Sequence, residues 1–491
     1  MELEEILLID DIDKKISYLK RGRRTAQPDT EANYAMWDIA KHEIIWNKDK
    51  YPDRKVKVRE EQSIFNEKTG KQSIIEAQFK DVEVNRIAVP IEQDIVNIQT
   101  AFTVGLEPTL DCTPEGEEQT LLEALKVLMR KNKIKYQNKK IVRSWLSEQE
   151  VAEYWYAVKD DNFWSMVWKK IKHPFAGTSS TTKLKSVLWS PFRGDKVYPF
   201  FDDSGDMVAF SREYKKKDID NNEITCFMTI TRNSVFQWEL TSAWEQKAEK
   251  SFKHGFIKLP VIYSYRSDNY CKKIQPVRTR IENILSSYAD CMDQHFFPLL
   301  KLVGDVIGFT GKKRDNVVNL TNGADAQYLT WNQAPDTVKL ELEKNYNIAY
   351  DMTNTPRITF EELKGLGKTS GTAFEFMFMG AHMAVSNHAE VIGDFMQRRV
   401  NFLISALGDT NSELYKASQT IDVETELRPY IISDLADKVA LAVSATGGPV
   451  WSKKDGIIYA GNADHIDETL KEIEESTMNL KNLKSNEPKE Q

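Results

Sequence analysis

The chain has 491 residues, 41% hydrophobic and 29% charged, with a net charge of −7. That length allows several domains, and the composition belongs to a folded chain, not a disordered one. The acidic balance excludes a protein that grips nucleic acid by general phosphate neutralisation, which needs a basic face, but not one that DNA slides past.

Residues 1–60 read as helical and highly charged, with Lys20-Arg21-Gly22-Arg23-Arg24 beside Asp10-Asp11-Ile12-Asp13. They fit a solvated arm, or an arm that wraps a neighbouring subunit. Residues 85–110 predict an amphipathic helix. Ile91, Ile95, Ile98 and Phe102 share one face, Pro90 takes an early position and Gly105 ends it. Residues 117–150 carry two more helical patterns, with a basic run over 131–140 that reads as a wet helix face.

Aromatics crowd residues 151–175: Tyr154, Trp155, Tyr156, Phe163, Trp164, Trp168 and Phe175. Their spacing fits helix faces packed in a core between helices and a sheet, with base or sugar stacking as the alternative. Residues 184–240 change period. Met207-Val208-Ala209-Phe210, residues 224–230 and Ser234-Val235-Phe236-Gln237-Trp238 read as strands, the first two antiparallel across a turn at 218–222.

Helices return after Leu259-Pro260-Val261-Ile262-Tyr263. Pro276 sits at a helix start, and Val277, Ile281, Ile284, Leu285, Tyr288, Ala289, Met292 and Phe296 form one apolar stripe closed by Pro298. Residues 305–309 and 317–320 flank a charged tip, Lys312-Lys313-Arg314-Asp315, and Asn322-Gly323 leads to Gln327-Tyr328-Leu329. This β element is too short to fold alone. Asp336 is read as the cap of a second helix with Val338, Leu342, Tyr346 and Ala349 on one face. A loop over 353–370 precedes a long helix over 371–407, about 55 Å at 1.5 Å per residue. Its first half is apolar nearly all round, and Gly380 and Gly393 are candidate kinks. The tail predicts a strand over 427–432, a helix from Asp434, a second helical start at Ser452 and an acidic amphipathic helix over 464–480.

No catalytic or metal constellation stands out. Gly367-Lys368-Thr369 ends like a phosphate-binding G-x-x-x-x-G-K-[ST] loop, but Glu362 occupies the first glycine's place, where a carboxylate opposes phosphate, and no buried strand precedes it. A P-loop-like nucleotide hydrolase is therefore the weaker reading. His382 and His388 miss the helical metal-pair spacing, and no G-x-S-x-G occurs. Cys112, Cys226, Cys271 and Cys291 lack C-x-x-C spacing, which suits a reducing compartment. The acidic start Met1-Glu2-Leu3-Glu4-Glu5 is unlike a signal peptide. The most apolar run, 374–385, holds Glu375 and His382 and falls short of the ~20 residues of a membrane span. A helix-rich, site-poor chain of this layout is expected to bury its faces against copies of itself.

Several segments, in order, match a known family. They are Asn85…Pro90-Ile91-Glu92-Gln93-Asp94-Ile95…Thr103-Val104-Gly105-Leu106-Glu107-Pro108; Leu259-Pro260-Val261-Ile262 with Ser267-Asp268 and Val277…Ile281…Ser287-Tyr288-Ala289-Asp290; Thr369-Ser370-Gly371-Thr372-Ala373; and Gly447-Gly448-Pro449-Val450-Trp451-Ser452-Lys453-Lys454-Asp455. In this order they resemble the portal proteins of tailed bacteriophages. Two places depart from the family pattern: Glu107 fills the middle of a G-x-P-like turn, and Asp455 stands where a threonine is usual. The first 80 residues match nothing in the family, and the tail is short for its crown.

The resemblance implies an α+β, mainly helical portal fold with wing, stem, clip and crown, assembled as a twelve-subunit ring at one capsid vertex. It implies a wing over 1–266, stem helices over 267–298 and 336–352, and a clip over 299–335. A tunnel loop follows over 353–370, then a long kinked helix with a return strand over 371–432, and a short crown and tail over 433–491. Lys364, Lys368, Thr369 and Asn354 would face DNA in the tunnel. Lys312, Lys313, Arg314 and Asp315 would meet partners at the clip. Ile281, Ile284, Leu285, Tyr288, Val338, Leu342 and Tyr346 would pack between subunits. The implied partners are other copies of the chain, the major capsid protein, the terminase large subunit, a head-completion or adaptor protein, and double-stranded DNA held transiently and without sequence preference. The implied place is the virion, after assembly in the host cytoplasm, with no membrane, enzyme activity, cofactor or metal. A multimeric scaffold or adaptor without a DNA channel is the remaining alternative.

Overall fold

The structure, a computed structural model, describes residues 2–59, 62–66, 71–159, 182–295, 299–303, 306–310, 317–320, 325–329, 335–357, 377–430, 435–448, 450–460, 469–473 and 475. It is a mixed α+β chain whose contacts divide into two compact units, residues 1–357 with 383–429 and residues 358–382 with 430–491.

The first unit is layered. Strands Glu150–Lys159 (β1), Thr182–Trp189 (β2) and Val261–Tyr265 form a three-stranded antiparallel sheet with β1 in the middle. Strands Lys196–Phe201, Met207–Lys217, Glu223–Thr231, Ser234–Leu240 and Trp244–Gln246 are sequential neighbours in a six-stranded antiparallel sheet, whose sixth strand, Phe252–Lys253, pairs with Ser234–Leu240. The three strands expected between 207 and 238 are therefore present, and Thr231 pairs with Ala209 across the turn at 218–222, where Asn221 takes a left-handed φ of 64°.

Alternation along each strand assigns the layers. Ala152 and Tyr154 of β1 join Phe210, Ile230 and Val235 in a core between the two sheets. Val151 and Trp155, on the other face of β1, join the helical core. The far face of the larger sheet offers Phe200, Ala209, Phe227 and Trp238 to Ile6, Ile16 and Leu19 of the N-terminal helices. Residues 150–159 are thus strand, not the helix that their aromatics suggested. A strand buried on both faces has no polar alternation to betray it. Tyr154 and Trp189 stack at 4.9 Å within this core. Phe163, Trp164, Trp168 and Phe175 lie outside the described residues.

The N-terminal segment is also not a free arm. Helix Ile12–Arg21 (α1), whose N-terminus is capped by Asp11 accepting the Lys14 N–H, buries Ile16 and Leu19 against the chain's own sheet. Its basic end is paired: Lys20 with Glu213, and Arg23 with the fully buried Glu150 at 2.8 Å.

The helical layer consists of Thr30–Trp37 (α2), Ile91–Val104 (α3), Glu117–Lys131 (α4), Ile134–Glu148 (α5), Gln275–His295 (α6), Pro335–Asp351 (α7) and the part of Met379–Thr410 (α8) beyond residue 382. Arg399 of α8 ties it to the sheet: its Nε donates to Glu153 at 2.6 Å and Nη1 to Asn138 at 2.6 Å, all buried. α3 starts six residues later than the expected helix start at 85. α7 already includes Pro335, so Asp336 lies in its first turn and is not its cap. The tail strand is Glu424–Glu426, paired with Thr109–Asp111, slightly ahead of the expected 427–432. In the second unit, helices Leu435–Gly447 and Lys453–Tyr459 are present, the latter opened by a capping box. There the Ser452 Oγ accepts the Asp455 N–H at 3.2 Å and Asp455 accepts the Ser452 N–H at 3.0 Å.

Candidate functional site

Between α6 and α7 the chain makes two antiparallel ladders. Leu299–Val303 pairs with Asp325–Leu329, and Val306–Thr310 pairs with Val317–Leu320. The result is a helix pair carrying a small strand insertion, held at its base by the layered core. Lys312, Lys313, Arg314 and Asp315 lie outside the described residues, but Thr310 pairs with Val317, so the ladder brackets that segment.

The base of α6 is fixed by buried charge. Arg278 places Nε 2.9 Å from Glu92 of α3 and Nη1 3.6 Å from Glu282 one turn on. Glu282 also contacts His42 Nδ1 at 2.6 Å, while His42 Nε2 faces the Met36 carbonyl at 3.3 Å. All four side chains are nearly inaccessible. Burial pushes the Glu92 carboxyl above its usual range, and the Arg278 guanidinium opposes that push. A buried set like this contributes little net stability compared with apolar packing, yet losing one member leaves a bare charge. It is well suited to fixing position.

A second device runs up α6. The extended segment 85–89 lies along the helix and donates three backbone N–H groups to it: Asn85 to Asp290 at 2.8 Å, Ile87 to Ser286 at 2.9 Å and Val89 to Glu282 at 3.1 Å. Donors alternate by two and acceptors step by four. Two extended residues span about 6.6 Å and four helical residues about 6 Å, so the two repeats match. The Asn85 side-chain amide adds bonds to Asp290 at 2.9 Å and Asp293 at 2.7 Å.

The end of α7 is clamped as well. Buried Gln99 of α3 donates to the Thr353 carbonyl at 3.1 Å, the Asn354 carbonyl at 3.1 Å and Thr355 Oγ1 at 2.8 Å. Tyr270 donates to the Thr353 carbonyl at 2.5 Å, and Tyr350 bonds Asp94. Asn354 adopts a left-handed φ of 48°. Its side chain is exposed while its carbonyl is held internally. Lys364, Lys368 and Thr369 lie outside the described residues, as does the failed phosphate-loop pattern.

The stripe assigned to packing between copies needs correction. Ile281 is fully buried and Ile284 nearly so within a single chain, because α7, α3 and the 85–89 segment already cover that flank. Leu285, Leu342 and Tyr346 pack partly buried on the same core. Tyr288 and Val338 are half-buried. Among the described residues of the pair, the exposed large apolar groups are Met292, Leu340 and Ile348, with Met352 just past the end of α7; the last three are 56%, 45% and 39% exposed. Arg280 and Glu341 join the two helices at 2.6 Å. Among the described residues there is no cluster that could hold a metal ion, and no helix is long and apolar enough to cross a membrane.

The sequence pattern described as "Phage portal protein, SPP1 Gp6-like" matches residues 37–479. No curated protein matches the chain. Two of the solved structures similar to it illustrate the likeness. One is the neck of an empty gene transfer agent particle, 10% identical, covering 76% of this chain and 90% of that one with a TM-score of 0.40. The other is the virion of a native gene transfer agent particle, 9% identical, covering 76% and 88% with a TM-score of 0.34.

Proposed function

Since the chain belongs to the phage portal protein family, SPP1 Gp6-like, we propose that it is the subunit of a portal ring, twelve copies around a channel at one capsid vertex. DNA passes that channel during packaging and ejection, and the ring docks terminase on assembly and a head–tail connector afterwards. Residues 1–266 form the wing, 267–298 and 336–352 the stem, and 299–335 the clip. Residues 353–370 form the tunnel loop, 371–432 the long helix returning to the wing, and 433–491 the crown and tail. The protein acts by position, not by catalysis.

The observation that carries this reading is the mounted helix pair. Two helices joined by short ladders are locked at their base by the Arg278 cluster, the 85–89 segment and the Gln99 clamp. A two-stranded ladder is marginal alone and gains from a neighbour's strand. Leu340 and Ile348, exposed on α7, and Met352 just past its end give the ring its seam, with Leu285, Tyr288, Val338, Leu342 and Tyr346 at its margin. The net charge of −7, repeated around a ring, keeps duplex from binding tightly, since each neutralised phosphate adds affinity that resists sliding. Lys364 and Lys368 centre the duplex in the channel. Lys312, Lys313 and Arg314 meet the partners at the clip.

Electron microscopy of the purified protein tests the reading. The expected particle is a ring of twelve with an axial hole as wide as duplex DNA, about 20 Å. Single chains at high concentration, both alone and with capsid protein, refute it.

A further inference from the structure

The turn joining α4 to α5 carries an unusual concentration of positive charge for so acidic a chain. Asn132 and Lys133 make that turn, with Lys133 in the left-handed region at φ 55°. Two cavities open on either side of it, and Lys133 lines both. The first, about 640 Å³, is rimmed by Lys126, Arg130, Lys133 and Lys135 over Leu110 and Met129. The second, about 520 Å³, is rimmed by Lys131, Lys133, Lys183 and Lys185 over Ala124 and Leu128. The single acid in either lining is Glu107, whose contact with Lys135 is a long 3.8 Å. Lys126, Arg130, Lys131, Lys133 and Lys185 make no ion pair among the described residues. Tyr136 stands 62% exposed beside the first cavity.

Clustered like charges cost stability unless something neutralises them. A helix end tolerates some of them, because basic groups at the last turn of α4 suit its dipole. That accounts for Arg130 and Lys131, and not for Lys126, Lys133 and Lys185. The apolar floors narrow the choice of partner. Phosphates need only the cations, and a duplex would leave the floors empty. A protein segment that alternates acids with large apolar side chains fills both floors and answers the rim, in the manner of an interface whose anchors sit in pockets surrounded by polar contacts.

We propose that the α4–α5 turn is a docking surface for an acidic protein segment, with an apolar side chain anchored in each of the two cavities flanking Lys133. This surface stands apart from the helix pair, and neither the ring nor the channel is needed for it.

The test is a binding titration of the full chain with a synthetic acidic helical peptide of about 20 residues bearing Leu at i, i+4 and i+7. Two control peptides replace its Glu by Gln or its Leu by Ser, and a duplex of about 20 base pairs serves as competitor. The peptide is expected to bind, and Arg130→Glu/Lys131→Glu to weaken it at least about tenfold. Both residues are exposed, so unchanged thermal unfolding verifies the variant's fold. The Leu→Ser peptide is expected to lose affinity to a similar degree.

No binding of the acidic peptide overturns the proposal, as does equal binding by the variant. Undiminished binding of the Leu→Ser peptide shows that the cavities hold no anchor, which also overturns it. If the duplex binds more tightly than the peptide and the variant loses that affinity instead, the surface is one for phosphate. If single chains bind the peptide and assembled rings do not, the turn is a seam between copies.

Discussion

Arg278→Met isolates what the buried mount of α6 does. The substitution keeps most of the side chain's apolar length and deletes its charge. It leaves Glu92 and Glu282, whose side chains are 3% and 2% exposed, facing each other with His42 as the remaining basic group. Breaking a buried pair in this way costs about 3–5 kcal/mol, a large part of the ~5–15 kcal/mol that holds a domain folded. For a unit of this size that corresponds to a fall of about 4–6 °C in the unfolding temperature. The deficit depends on pH with a definite sign. The Glu92 carboxyl already lies above its usual range through burial, and removing Arg278 takes away the opposing influence. A group whose folded pKa exceeds its unfolded one stabilises at low pH and loses that contribution as pH rises. The variant should therefore lag most at neutral pH and recover as pH falls toward the ordinary carboxylate range. Calorimetric scans across that range measure it. Arg278→Met combined with Glu92→Gln should regain much of the loss, because the stranded charge is gone. An unfolding temperature within about 1 °C of the parent for the single variant, or no recovery in the double, refutes the idea that charge balance holds this helix.

Three further outcomes are expected. Burial lowers His388 from 6.5 to about 3, so this histidine favours the folded state above pH 6.5 and loses up to about 4 kcal/mol of that preference as pH falls from 6.5 toward 3; His388→Gln should flatten the acid side of the stability curve, read from denaturant midpoints at each pH. A methyl group on Gly22 would overlap the Phe200 ring, so Gly22→Ala should cost about 1–3 kcal/mol in chemical denaturation, and Phe200→Leu should partly restore it. Leu340→Glu/Ile348→Glu should prevent ring formation in size-exclusion chromatography while shifting single-chain stability by no more than about 0.5 kcal/mol per site, because both side chains are exposed.

Much of the architecture could be read from the residues. Long periodic stretches gave the two helices over 117–150, the helix pair on either side of the ladders, and the antiparallel strands after 207. Ser452 signalled a helix start that the chain uses. The misreadings have physical causes. The β1 strand is buried on both faces, so its aromatics lost the alternation that marks a strand. The stripe at Ile281 and Ile284 is apolar whether a sister copy or the chain's own α7 covers it, and periodicity cannot tell the two apart. The α6 mount was invisible because His42 and Glu282 stand 240 positions apart, and no local pattern links them. The segment 85–89 was absorbed into a predicted helix. Val-Pro at 89–90 was the available warning, since a residue before proline favours extended backbone.

The bonding of residues 85, 87 and 89 to positions 290, 286 and 282 restricts the placement of α6 to whole helical turns. Sliding the segment by one residue turns every donor away from its acceptor. Sliding it two residues toward the start of the helix would set a backbone N–H against Arg278, which has nothing to accept with. No seat exists between one helical turn and the next, so small thermal displacements at the base are resisted and do not accumulate into a tilt at the far end. A shaft mounted this way stays true or lets go.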